Sequence, residues 1–141
     1  MPTKADFSED EWQAMQKGIT GAGMLVSVTD RDFTDSFGEA SAMAKYLGRQ
    51  REEGSSELMK DLAHAKRPGF GLTDSLQEVE TETIDALRSS VATLTAKAPD
   101  EVGAYRAFVV GIATSVAEAK GGVTEIEATT IAKLEEALRT A

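Results

Sequence analysis

Apolar residues recur at steps of three and four along most of the chain, and no stretch of four or more alternates between turn signals. That is the period of amphipathic helices, not of half-buried strands. The first helix is announced by Ser8 with Glu11 three residues on, a capping box in which each residue satisfies the other's backbone N–H, and Phe7 stands where a hydrophobic staple belongs. Trp12, Met15, Ile19, Ala22 and Val26 then form one stripe, and the helix is expected to end near Thr29. Glycines at 18, 21 and 23 interrupt it. Each costs about 1 kcal/mol against Ala in a helix. Either the helix breaks there or another helix packs unusually close.

A second helix is predicted after Ser36, with Glu39 as box partner, Phe37, Ala40, Met43, Ala44 and Leu47 as its apolar face, and the polar run 48–54 as its end. A short third follows Ser56 and uses Leu58, Met59, Leu62 and Ala65. Arg67-Pro68-Gly69-Phe70-Gly71 reads as a loop, with Phe70 either plugging the core or anchoring a partner. Helix four starts near Thr73 or Asp74 and carries Leu76, Val79, Ile84, Leu87, Val91 and Leu94; its stripe drifts between Val79 and Ile84, as two helices would. Pro99 is placed to open helix five, whose apolar residues are Val102, Tyr105, Phe108, Val109, Ile112, Val116 and Ala119. Gly121-Gly122 ends it. Thr124 and Glu127 box the last helix, with Ile131, Leu134 and Leu138 as its stripe. The expectation is an all-α, single-domain bundle of six or seven helices over residues 1–141, with antiparallel neighbours joined by short connections.

Two parts of the chain read alike. Glu39–Lys45 lies over Glu127–Lys133 at an offset of 88, and Gly21 over Gly111 and Val26 over Val116 at an offset of 90. This predicts an approximate internal two-fold repeat, with units at about 9–47 and 100–139 and connecting helices within 56–97. Gly21 and Gly111 are then equivalent points, expected to mark close helix approaches.

Composition narrows the chemistry. The chain has 141 residues, no Cys, one His and a formal net charge of −9. Without cysteine there are no disulfides, thiolate nucleophiles or Fe–S clusters. One histidine leaves too few ligands for a carboxylate-bridged di-iron site or a His-rich zinc site. His64 sits among Lys60, Lys66 and Arg67 and reads as an exposed member of a basic stretch. No nucleophile elbow, dinucleotide fingerprint or P-loop occurs, and no catalytic residue or organic cofactor is expected. The acidic balance argues against nucleic acid and anionic membrane. No apolar run is long enough to span a bilayer, and a cytoplasmic protein is the expectation. The charge is uneven: residues 1–40 hold eight acids against three bases, whereas 41–70 hold six bases against four acids.

The strongest candidate site is the acidic turn Asp30, Asp32, Asp35 and Glu39, which suits weak binding of a divalent cation such as Ca²⁺ or Mg²⁺. Asp-x-Asp-x-Thr matches the opening of an EF-hand loop, but Asp35 stands where its glycine belongs and Ser41 where its last glutamate does. The same residues also suit helix capping, and the box already accounts for Glu39.

The segment Tyr105–Ala113, with Ser115-Val116-Ala117-Glu118-Ala119, Gly121-Gly122-Val123-Thr124, Glu127 and Ile131, resembles the TerB-like (tellurite-resistance) family, as does the turn within Val26–Glu39. That family pairs a small-residue helix with an Ala-Asp-Gly-like turn and a Glu opening the next helix. The first copy departs from it with two extra residues around Asp30-Arg31-Asp32, and the second places Lys120 near the acid's position, which speaks against metal binding there. The resemblance implies a non-enzymatic binding or sensor role in metal-stress or defence-linked systems. The alternative is a structural or adaptor bundle that binds a protein partner or pairs with itself through its glycine-rich faces.

Overall fold

A computed structural model describes residues 3–29, 36–54, 56–64, 76–119 and 125–139; for 27–29, 36–42, 76, 119 and 125–127 only the backbone is described. Six α-helices pack on one another and the described residues contain no strand. They are α1 (Glu9–Thr29), α2 (Ser36–Glu53), α3 (Glu57–Leu62), α4 (Leu76–Lys97), α5 (Val102–Ala119) and α6 (Glu125–Arg139). Single 3-10 turns precede α1 (Lys4–Asp6) and α5 (Pro99–Glu101).

The start of α1 forms as its capping box requires. Ser8 N–H donates to Glu11 Oε1 at 2.8 Å, and Glu11 N–H donates back to Ser8 Oγ at 3.1 Å. Phe7 meets Trp12 with ring centroids 6.3 Å apart, closing the staple. The helix continues through its three glycines, and neighbours come close at two of them. A Cβ on Gly18 would stand 2.5 Å from the Tyr105 hydroxyl and 2.8 Å from Leu87 Cδ2, and one on Gly23 would stand 2.9 Å from Met43 Sδ. Gly21 is buried on the same helix. Gly111, on α5, sits against the Tyr46 hydroxyl of α2, and a Cβ there would lie 2.7 Å from Tyr46 Cζ. The close approach expected at Gly111 is therefore present.

α1 packs most extensively on α4, and the two are antiparallel: Glu11 near the start of α1 meets Lys97 at the end of α4. α5 lies against both α1 and α2, and α6 against α1, α4 and α5. Met15, Ile19, Leu87, Leu94, Tyr105, Ile112 and Leu134 are fully buried at the centre. Tyr105 donates its hydroxyl to the Met15 carbonyl at 2.8 Å. That bond satisfies the phenol inside the core, and burial pushes its pKa above the usual tyrosine value.

Two expectations change. α2 ends at Glu53, inside the polar run 48–54, and half-buried Gly48 weakens the helix without stopping it. Its packed side is Met43, Tyr46 and Leu47, whereas Ala44 is exposed; Tyr46 takes the contact, edge-on to Phe108 at 5.6 Å. α4 is one helix across the drift, because Thr83 fills the inward position that no apolar residue held. The expectations for Ala65, the 67–71 loop with Phe70, Thr73, Asp74, Gly121-Gly122 and Thr124 fall outside the described residues.

Candidate functional site

Asp30, Asp32 and Asp35 lie in the stretch between α1 and α2, outside the described residues; Glu39 is on α2, but its side chain is not described. Among the described residues no group of three or more His, Asp or Glu side chains could hold a metal ion. His64 is exposed in the turn after α3. Of its basic neighbours, Arg51 donates Nε–H to the Ala63 carbonyl at 2.9 Å and Lys60 pairs with Glu57 at 3.4 Å, so both serve local structure.

The described surface offers a different place. A cleft of about 670 Å³ opens between the amino-terminal 3-10 turn and the first two turns of α1. The staple residues Phe7 and Trp12 form its floor. Lys4, Ser8 and Glu9 rim one end, and Gln13 and Gln16 continue the wall along α1. Both rings belong to the hydrophobic core and are nearly covered, at 8% and 5% exposure, and a cation stands over each. The Lys4 ammonium stands 5.6 Å from the Trp12 ring centroid, and the Lys97 ammonium stands 5.8 Å from that of Phe7. Each distance is within cation–π range.

Local bonds hold the turn in place. Thr3 N–H donates to Asp6 Oδ2 at 2.8 Å. Lys97 reaches from the end of α4 to the Asp6 carbonyl at 3.3 Å and to Glu11 Oε1 at 2.6 Å. The Lys97 hydrogen bond, then the Ser8 N–H, hold the Glu11 carboxyl below the usual glutamate value. The Gln13 amide donates to Glu9 Oε1 at 3.3 Å and orients that carboxylate on the rim. A second, shallower cleft of about 390 Å³ runs along the outer face of α4 past Gln77, Glu78, Thr81 and Glu82.

Sequence reasoning placed Phe7 as a staple and Trp12 in the apolar stripe of the first helix, and missed this cleft. The signal in the chain was Lys4 three residues before the staple. The contribution of Lys97, 86 residues beyond Glu11, had none. No helix among the described residues is long and apolar enough to cross a membrane. Compared with known proteins, the chain matches no family model, no curated protein and no solved structure.

Proposed function

We propose that the chain is a non-enzymatic binding module that takes its ligand at the rim of the bundle. The cleft over Phe7 and Trp12 carries this reading: it has the size of a small-molecule site and combines an aromatic floor with a few charged and amide groups that can orient a ligand. The lone histidine and absent cysteine leave little for covalent or metal-hydrolytic chemistry. The test is a saturation-transfer NMR screen of small metabolites against the full chain, repeated on Gln13→Trp, which blocks the cleft from an exposed position. Compounds that bind the parent and lose their signal in the variant support the reading. Compounds that bind both equally, or none that bind, overturn it.

The acidic turn read from the sequence adds a second proposed site, a divalent cation held by Asp30, Asp32, Asp35 and Glu39. α1 ends at Thr29 and α2 begins at Ser36, so the first three acids lie in a short interhelical segment, where hard-cation ligands commonly occur. Calorimetric titration with Ca²⁺ and Mg²⁺ should give heat that disappears in Asp30→Asn/Asp32→Asn. Heat that is absent, or unchanged in the double variant, removes the cation from the proposal.

A further inference from the structure

The cleft already contains a cation. Lys4 belongs to a turn packed back over α1, and its ammonium sits over the face of Trp12. A lysine head is strongly hydrated and gains by staying in water, so its position on an indole shows what this face attracts. The surroundings favour the same charge. Glu9, Asp10 and Glu11 occupy the first turn of α1, and Glu9 is on the cleft rim. The helix N-terminus opposes them with roughly half a positive charge. Lys97 neutralises Glu11, but Glu9 and Asp10 still outweigh that half charge. The whole chain, at −9, draws cations from a distance.

We propose that the cleft is an ammonium site: Lys4 is its resident occupant, and its external ligand is a small free quaternary ammonium compound. This rests on the reading of the cleft as a ligand site. A quaternary ammonium carries weaker hydration than the lysine head and presents methyl groups to the indole, so it displaces Lys4 while Glu9 supplies the counter-charge. The resident lysine makes the site self-competing. Apparent affinity is lowered by the fraction of molecules in which Lys4 covers the ring.

Trp12 is the only tryptophan in the chain, so its fluorescence reports on this site alone. The full-length protein is titrated with choline and, separately, with 3,3-dimethylbutan-1-ol, its uncharged isostere. Choline is expected to change Trp12 emission saturably and the alcohol to have no effect. Lys4→Ala, a change at an exposed position, should tighten choline roughly tenfold if the resident ammonium covers the ring about nine-tenths of the time, and Glu9→Gln should weaken it. If the alcohol matches choline, the cleft stands as a ligand site and the ammonium assignment falls. If neither compound changes the emission of Lys4→Ala, the ammonium assignment falls, and the metabolite screen decides the cleft separately. Choline binding that weakens in Lys4→Ala overturns the resident-occupant role.

Discussion

Both tyrosines of the chain end on a glycine of a neighbouring helix, Tyr105 on Gly18 and Tyr46 on Gly111. These contacts set the spacing of α1, α2 and α5. Gly18→Ala gains about 1 kcal/mol of helix propensity but drives a methyl into the Tyr105 hydroxyl, which its bond to Met15 holds in place. Overpacking of this kind costs about 1–3 kcal/mol, so net destabilisation is expected on urea unfolding. Gly111→Ala should behave alike. Gly48→Ala is the control: nothing lies within 4 Å of the added Cβ, and a gain of about 0.5–1 kcal/mol is expected. Thr83 is the polar counterpart, fully buried with a hydroxyl that has no hydrogen-bond partner among the described residues. Thr83→Val should stabilise the fold by about 1 kcal/mol in the same assay, since it removes an unsatisfied group with little change of shape. For Glu11 the sign is set by its depressed folded pKa. Its contribution is present above the unfolded value of about 4.5 and is lost as pH falls through the lower folded value. Carboxyl NMR titration should place Glu11 below 4.5, and Lys97→Met should move it back up.

At the scale of elements, arginines from neighbouring helices hold two carboxyl-terminal ends. Arg106 of α5 donates Nε–H to the Leu138 carbonyl at 2.9 Å, near the end of α6, much as Arg51 of α2 serves Ala63 after α3. The last carbonyls of a helix have no partner within it, and a cation there also suits the dipole. Arg106→Met should cost about 1.5–3 kcal/mol, the range of a hydrogen bond to a charged group. Hydrogen exchange should show the loss in the last turn of α6, with the centre of α5 still protected. Neither arginine contact is visible in the chain, since donor and carbonyl are distant in sequence. What the pattern does reveal is local: the Ser8–Glu11 box, the Ser56 cap accepting from Met59 N–H at 3.2 Å, and the apolar stripes of α1, α3, α5 and α6. It failed where polar residues do apolar work. Thr20 and Ser90 are buried because each hydroxyl donates to its own helix, to the Gln16 and Ala86 carbonyls, and Thr83 is buried without that relief. The cleft was illegible for a related reason: its floor doubles as a structural staple, and the two cations over that floor, Lys4 and Lys97, are far apart in the chain.

For the whole molecule, the proposed duplication and the charge make separate demands. In a duplication, α1 and α2 correspond to α5 and α6, so α2 on α5 should mirror α6 on α1; both contacts are made. Met15 and Tyr105, joined by a hydrogen bond, are 90 positions apart, the offset that aligns Gly21 with Gly111. These are reasons to propose the two-fold. The charge acts on the molecule as one object. At −9 the folded chain holds its carboxylates closer together than the unfolded chain does, and that repulsion opposes folding. Ion pairs work the other way. Lys17–Glu82, Lys97–Glu11 and Lys133–Glu80 tie α4 to α1 and α6. Each has one exposed and one half-buried partner, and pairs near the surface contribute about 0–1 kcal/mol each. Salt screens both terms, but the repulsion acts over long distances, which screening removes first as the Debye length falls from about 30 Å at 10 mM to about 8 Å at 150 mM. The melting temperature at pH 7 should therefore rise by several degrees between those concentrations in a calorimetric scan, and the rise should shrink near pH 4, where many carboxylates are already protonated. A melting temperature that falls with salt would mean that the three ties to α4 outweigh the net charge, and that Lys97 stabilises the fold more than a pair near the surface should.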